Sequence, residues 1–419
     1  MARWTGGRVM AGGIRKTPAG SWRAYWRDPA RRQTSKTFRT KREASAFLAQ
    51  VTTAASTGGY VSPHAGRVLF GEHARQWMAS WNNEKTTHAR DASIMRTHVI
   101  AQWDTWPLAK IDHMAVQTWI TGLSARLSPA TVAECRRLTS AVLRSAVRNR
   151  LIPFNPCEDI KVPKRRRRDT DDQVIDRPVY RHRLLPAVPD RHRGIVGVAG
   201  GCGLRWGEAA GLCLDALDLD RGMLRVIRTV IEVAGHTSFK PYPKSTAGRR
   251  TIPLPGWLVT ILRAHLDRYP PGEGDLLFAN EVGGALRRTL FRSRVWRPSL
   301  VRAGLLGSVT PDGDVYLAHW IDATGKRHRQ RFDTEPAAVK HVAREHDGGL
   351  RFHDLRHSYA TWLVDDGVPP NMVQRVMGHE RSSTTLDLYT RRTEDSTRIL
   401  RALDDEGPDD GPTNGFVPA

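Results

Sequence analysis

No apolar run in this chain of 419 residues reaches the ~18–20 residues that a membrane-spanning helix needs. The N-terminal stretch MARWTGGRVMAGGIRK is basic and lacks the apolar core of a signal peptide. Cysteine is scarce. Cys135, Cys157, Cys202 and Cys213 form no C-x-x-C pair, and no histidine stands at zinc-ligand spacing from them. They are expected to be buried, reduced thiols. Acidic side chains are outnumbered, 43 against 65 basic ones, which leaves a formal net charge of +22. Such an excess costs self-repulsion unless a polyanion relieves it. Nucleic acid is the first candidate and an anionic membrane surface the second. Lysine is sparse too, so most of the positive charge is arginine, which grips phosphate bidentately and keeps its proton. A soluble, cytoplasmic, nucleic-acid-facing protein is expected, with no membrane partner.

Ordinary cores are within reach, since 40% of the residues are hydrophobic and 26% charged. At roughly 150 residues per domain the length suggests about three domains. Residues 1–65 alternate aromatic and polar positions in SWRAYWRDPARR and then read as a helix from Thr40, with Glu43 completing a capping box. About three strands and one helix are expected. Residues 66–160 are helical in pattern. Phe70, His73, Trp77 and Trp81 recur at three- and four-residue spacing, as do Val116, Trp119, Ile120 and Leu123. Ser128 followed by Pro129 starts a further helix. Residues 161–177 hold Arg165, Arg166, Arg167 and Arg168 in an exposed linker. That linker is either a solvated tether or a strap across DNA phosphates. A mixed α+β segment, 178–404, precedes an acidic, Gly- and Pro-rich tail, 405–419, expected to be disordered.

The mixed segment carries an internal repeat. Ala318, Trp320, Asp322, Phe332, Thr334 and Ala338 match Ala24, Trp26, Asp28, Phe38, Thr40 and Ala44 without a gap. The stretch 309–347 therefore reads as a second copy of the small β-α module, inserted in the large domain. The alternative is a chance likeness between two basic hairpins.

Three clusters in that segment have unusual polar content. GGCGLRWGEAAGL reads as a buried helix that nevertheless holds Arg205 and Glu208, three residues apart on one face. A buried arginine must meet an acid or an anionic ligand. LRFHDLRHSYATWLV places His353, Arg356 and His357 on one side of a helix. A metal pair at His353 and His357 is disfavoured by the arginine between them. PPNMVQRVMG reads as a helix with prolines at its start and Gly378 just past its end. His379 follows the break, and a second capped start near Thr384 carries Tyr389. FKPYPKSTAGRRTIPLP reads as a β-hairpin after the strand GMLRVIRTVIEVAG and offers Lys240 and Lys244 as acids. Together these residues define an anion site with a weak nucleophile. A tyrosine of pKa near ~10 is phenolate in only about one molecule in a thousand at pH 7. Positive neighbours and a base would make it useful.

The order GLRWGEAAGL, PKSTAGRRTIPL, FHDLRHSYAT, MGHERSSTTLDLYT resembles the tyrosine recombinases, or phage-type integrases, over roughly residues 66–400. The resemblance implies an arm-binding-like small domain, a helical core-binding domain and a mixed catalytic domain. It implies that Tyr389 attacks the scissile phosphate, that Arg205 and Arg356 clamp it, and that Lys244 protonates the leaving oxygen. His353 would assist proton transfer, His379 would hydrogen-bond the phosphate, and Glu208 would orient the site. It implies no metal or cofactor. The implied partners are double-stranded DNA attachment sites, a homotetramer formed on them through a four-way junction, and a host bending protein or directionality factor. The family pattern does not explain the insert, whose Lys326, Arg327, Arg329 and Arg331 suggest a DNA contact or a docking surface between protomers. A topoisomerase-like relaxing enzyme and an architectural DNA-binding protein with a decayed site are the competing readings.

Overall fold

The computed structural model describes residues 12–28, 33–56, 60–62, 65–163, 173–240 and 248–378. The chain divides into two compact units, Met1–Arg167 and Arg168–Ala419.

In the first unit, β1 (Gly13–Lys16), β2 (Trp22–Arg27) and β3 (Gln33–Phe38) form an antiparallel sheet in that order, followed by α1 (Lys41–Ser56). The alternation in WRAYWR turns Ala24 and Trp26 inward, where both are buried. The Trp26 indole N–H donates to the Tyr60 hydroxyl at 2.8 Å. At the start of α1, Thr40 N–H donates to the Glu43 carboxylate at 3.1 Å and Glu43 N–H donates to Thr40 Oγ1 at 3.2 Å. This is the reciprocal box expected from the sequence.

The same unit holds a helical core. It comprises α2 (Phe70–Ala79), α3 (Lys85–Ile94, Met95–Ile100 and Ala101–Trp103 run together), α4 (His113–Ser124) and α5 (Pro129–Arg148). Ser128 caps α5 by accepting the Thr131 N–H at 3.3 Å, worth about 1 kcal/mol. Phe70, Val116, Ile120, Leu138 and Val142 fill the interior.

The second unit opens with α6 (Arg177–Val179, Tyr180–Leu184 and Leu185–Ala187 run together), α7 (Asp190–Cys202) and α8 (Trp206–Ala210). Next come β4 (Leu217–Asp218), β5 (Met223–Val226), β6 (Thr229–Val233), β7 (His236–Lys240) and β8 (Arg250–Pro253). The hairpin lies elsewhere than the sequence suggested. GMLRVIRTVIEVAG is two strands broken at Ile227 and Arg228, and β6 turns into β7 through Ala234 and Gly235. Both turn residues have positive φ, 50° and 80°, which suits a tight hairpin. β8 does not fold back on β7; it pairs with β5 in the sheet β4-β5-β8. Lys240 ends β7.

After α9 (Gly256–Arg268) comes α10 (Arg288–Phe291, Arg292–Trp296 and Arg297–Arg302 run together). The insert follows as β9 (Ser308–Asp312), β10 (Val315–Ile321), β11 (Arg327–Phe332) and α11 (Glu335–Glu345). Its sheet order is β9-β10-β11, and its β10–β11 register repeats that of β2–β3 pair for pair. Trp22 opposite Phe38 becomes Tyr316 opposite Phe332, and Trp26 opposite Thr34 becomes Trp320 opposite His328. Thr334 caps α11 as Thr40 caps α1. The insert is not a loose appendage. Ala318, Ala338, Val339 and Val342 belong to the main core of this unit, with Leu300 and Leu306. Arg297, buried in α10, donates to the carbonyls of Ala343, His346 and Gly348 at the end of α11. The described residues end with α12 (Asp354–Asp365) and α13 (Pro370–Met377). All four cysteines are buried and free. Among the described residues no helix is long and apolar enough to cross a membrane.

Candidate active site

The stretch GGCGLRWGEAAGL is broken in the middle, not one helix. Gly203 ends α7 in the left-handed region, φ 63°. A side chain there would put Cβ 2.4 Å from the Tyr359 ring, so only glycine makes this turn without a shift. The turn sets Arg205 at the N-cap of α8, with Glu208 in the first helical turn.

Glu208 is the hub. Its carboxylate accepts the Arg205 backbone N–H at 3.0 Å and Arg205 Nη1 at 2.8 Å. It also accepts Arg250 Nη1 at 3.1 Å and Arg250 Nη2 at 2.8 Å, a bidentate pair. The Arg250 and Glu208 side chains are 3% and 5% exposed, whereas Arg205 is 42% exposed. Burial pushes the Glu208 carboxyl up. The hydrogen bonds and charge of Arg250, with the charge of Arg205, outweigh it and bring the group down to about 2.

Three guanidinium groups then converge on the end of α13. Arg250 Nε donates to the Val376 carbonyl at 2.6 Å, Arg356 Nη2 to the Met377 carbonyl, and Arg205 Nη2 to the Gly378 carbonyl at 3.3 Å. These are consecutive carbonyls. They carry the negative end of the helix, which α13 closes at Gly378 with φ 61°. Arg356, buried in α12, also donates to the Gly203 carbonyl at 2.6 Å. Burial, then the charges of Arg205 and Arg250, push the Arg356 guanidinium down to about 9, with Glu208 opposing. Among the described residues three cations meet one carboxylate here, so the cluster is short of negative charge and fits an anion.

His353 caps α12. Its ring lies 5.0 Å from that of His357, nearly perpendicular. Its pKa is lowered by the atoms packed around it, then by His357 and Arg356; solvent on its open side screens part of this. Tyr359 packs on Gly203, and burial pushes its phenol up, which makes it a poor nucleophile.

Of the residues singled out in the sequence, Arg205, Glu208, Arg356 and His353 lie in or beside this cluster. Lys244, His379, Tyr389 and Arg165, Arg166, Arg167 and Arg168 lie outside the described residues. Lys326, Arg327, Arg329 and Arg331 belong to the insert and its β10–β11 turn. Arg250 was missed. The signal was available: on β8 it alternates with Ile252, so both point inward. A buried arginine calls for a buried acid, and Glu208 is one.

A family model described as "Phage integrase family" matches residues 182–395, a span that contains the whole cluster. The chain is 29% identical over 406 residues to the phiRv2 prophage integrase of Mycobacterium tuberculosis, covering 94% of this chain and 95% of that protein. It is 27% identical over 290 residues to the tyrosine recombinase XerC of Myxococcus xanthus, covering 67% of this chain and 78% of that one. Among solved structures, the fold is similar to that of the Tn1549 transposon integrase in complex with a circular intermediate DNA. The TM-score is 0.57 at 18% identity, over 80% of this chain and 99% of the other.

Proposed function

The chain belongs to the phage integrase family and is a tyrosine-type site-specific DNA recombinase that integrates or excises a mobile element; from that premise we propose how its residues divide the reaction. Tyr389 Oη attacks the scissile phosphorus. The P–O5′ bond breaks, leaving a 3′-phosphotyrosyl link and a free 5′ hydroxyl. Attack by a second 5′ hydroxyl reverses the step on a new partner strand, so the bond energy is kept. Arg205 and Arg356 hold the two non-bridging oxygens, where they stabilise charge that grows in the transition state. His353, held in its neutral form near pH 7, takes the tyrosine proton, and Lys244 gives one to the departing O5′. His379 hydrogen-bonds the phosphate. Glu208 is a positioning residue: it holds Arg205 by its side chain and its backbone N–H at once.

The observation that carries this reading is the convergence of Arg205, Arg250 and Arg356 on three successive carbonyls around buried Glu208. Those carbonyls belong to the residues that come directly before His379 in the sequence, and the excess positive charge gathered on them supports a phosphate as the ligand. In the same reading, residues 1–65 bind arm-type DNA sites and residues 66–160 the core site. The linker arginines Arg165, Arg166, Arg167 and Arg168 follow phosphates, and four copies assemble on two double-stranded attachment sites.

The test is trapping on a nicked duplex of the element's end, where the cut strand diffuses away. A covalent protein–DNA adduct is expected with the wild-type chain. Binding without an adduct on either element end overturns the reading in favour of a DNA-binding protein that no longer cuts.

A further inference from the structure

The insert has an outward face that the reaction does not use. Tyr316, Ala318 and Trp320 of β10 turn toward α11, where Ala318 is fully buried and Trp320 meets His341 at 4.6 Å. Leu317, His319 and Ile321 therefore turn the other way. Cross-strand pairing sets Arg331 opposite Leu317, Arg329 opposite His319 and Arg327 opposite Ile321. The three arginines stand on one exposed face of the sheet, at a spacing of about 6.8 Å along β11. Arg331 has one acidic neighbour, Asp312 at 3.2 Å. Both are open to solvent, so this pair leaves most of the face's charge available.

The first copy of the module shows what its fold alone requires. Inward positions are alike in the two: Ala24 and Ala318, Phe38 and Phe332, Ala44 and Ala338. Outward positions differ at every point. Arg23, Tyr25 and Arg27 of β2 correspond to Leu317, His319 and Ile321, and Gln33, Ser35 and Thr37 of β3 correspond to Arg327, Arg329 and Arg331. Yet the charge returns. The outward face of the first copy carries Arg15, Arg23 and Arg27, with Arg15 paired opposite Arg23. Packing explains the inward likeness. It does not explain three arginines regained on different strands, which points to a polyanion on this side of the sheet.

We propose that the outward face of the β9-β10-β11 sheet is a second duplex-DNA-binding surface, which grips phosphates through Arg327, Arg329 and Arg331. It rests on the recombinase reading only in that DNA is already the ligand of this chain. A strand pair of this width enters a major groove, and exposed Ile321 and His319 stand on the middle strand, directly opposite Arg327 and Arg329. Arg297 and the shared core hold the sheet rigidly on the catalytic unit, so a gripped duplex is positioned relative to the cleavage site.

Deleting the insert would not test this, because its helix is part of the core. Substitution of the exposed face does. The full chain and the triple variant Arg327→Gln, Arg329→Gln, Arg331→Gln are titrated with a short duplex lacking the element's sequence, across a potassium chloride series. Each lost phosphate contact removes about 0.9 from the slope of log affinity against log salt. The triple Gln variant is expected to flatten the slope by about 2 to 3, and the triple Lys variant to restore it. An unchanged slope overturns the proposal. So does an unchanged slope with lost assembly, which would make the face a docking surface between protomers. Adduct trapping with the wild-type chain is read separately. Its failure would sink the recombinase reading and leave the slope result standing.

Discussion

Arg205 and Arg356 end on adjacent carbonyls, Gly378 and Met377, at the point where α13 gives way to the C-terminal segment. One guanidinium is half open and is braced by Glu208; the other is buried and is braced by the Gly203 carbonyl. The two arginines of the proposed phosphate clamp thus differ in how far the fold depends on them.

That difference is measurable. Arg205→Ala is expected to slow single-turnover cleavage by about 10²–10³-fold, the cost of losing one donor aimed at developing charge. Its melting temperature should stay close to that of the wild type. Arg356→Ala is expected to lose cleavage and also stability, about 1–3 kcal/mol for each buried carbonyl left without its donor. Rapid-quench cleavage together with thermal unfolding reads both. Equal destabilisation by the two variants would contradict the asymmetry.

Arg250 and Glu208 act as a unit. Arg250→Met leaves the Glu208 charge without its buried partner and is expected to cost about 3–5 kcal/mol. The double variant with Glu208→Gln should cost less than the sum of the singles, by roughly 0.5–3 kcal/mol. Urea unfolding of the four proteins gives the cycle. Simple additivity would mean that the pair contributes nothing as a pair.

Acid should weaken the catalytic unit through Glu208. Its pKa falls from an ordinary 4.5 to about 2 on folding. A depressed carboxyl contributes stability that is present in full above 4.5 and is lost as pH falls toward 2. The shift corresponds to about 3 kcal/mol at most. Unfolding free energies measured between pH 5 and pH 2 should therefore fall more steeply for the wild type than for Glu208→Gln. Parallel curves would assign the acid loss to other groups.

Much of this architecture was legible because local rules and tertiary packing agree. The Thr40–Glu43 box, the Ser128–Pro129 start, the Gly378 stop and the repeat linking Trp26 to Trp320 all describe short-range chemistry that the fold leaves in place. The motif residues Arg205, Glu208, His353 and Arg356 were visible as polar groups in apolar surroundings. The hairpin was misplaced because strand pairing is non-local: β8 prefers β5 to its neighbour β7, and no local signal carries that choice. The break at Gly203 was hidden by a glycine-rich run in which several glycines could have served. Arg250 was overlooked because it stands beside Arg249, and only the strand period separates the inward arginine from its neighbour.

In the proposed reaction Tyr389 is the nucleophile of a phosphate site built from Arg205, Arg356 and Glu208. The wild-type chain is trapped on a nicked element end, the adduct is digested with a protease, and the peptide bearing the nucleotide is identified by mass spectrometry. The expected result is a nucleotide joined through its 3′ phosphate to the peptide containing Tyr389, with a free 5′ hydroxyl on the other DNA product. A nucleotide on Tyr359, on a serine, or joined through a 5′ phosphate would contradict it.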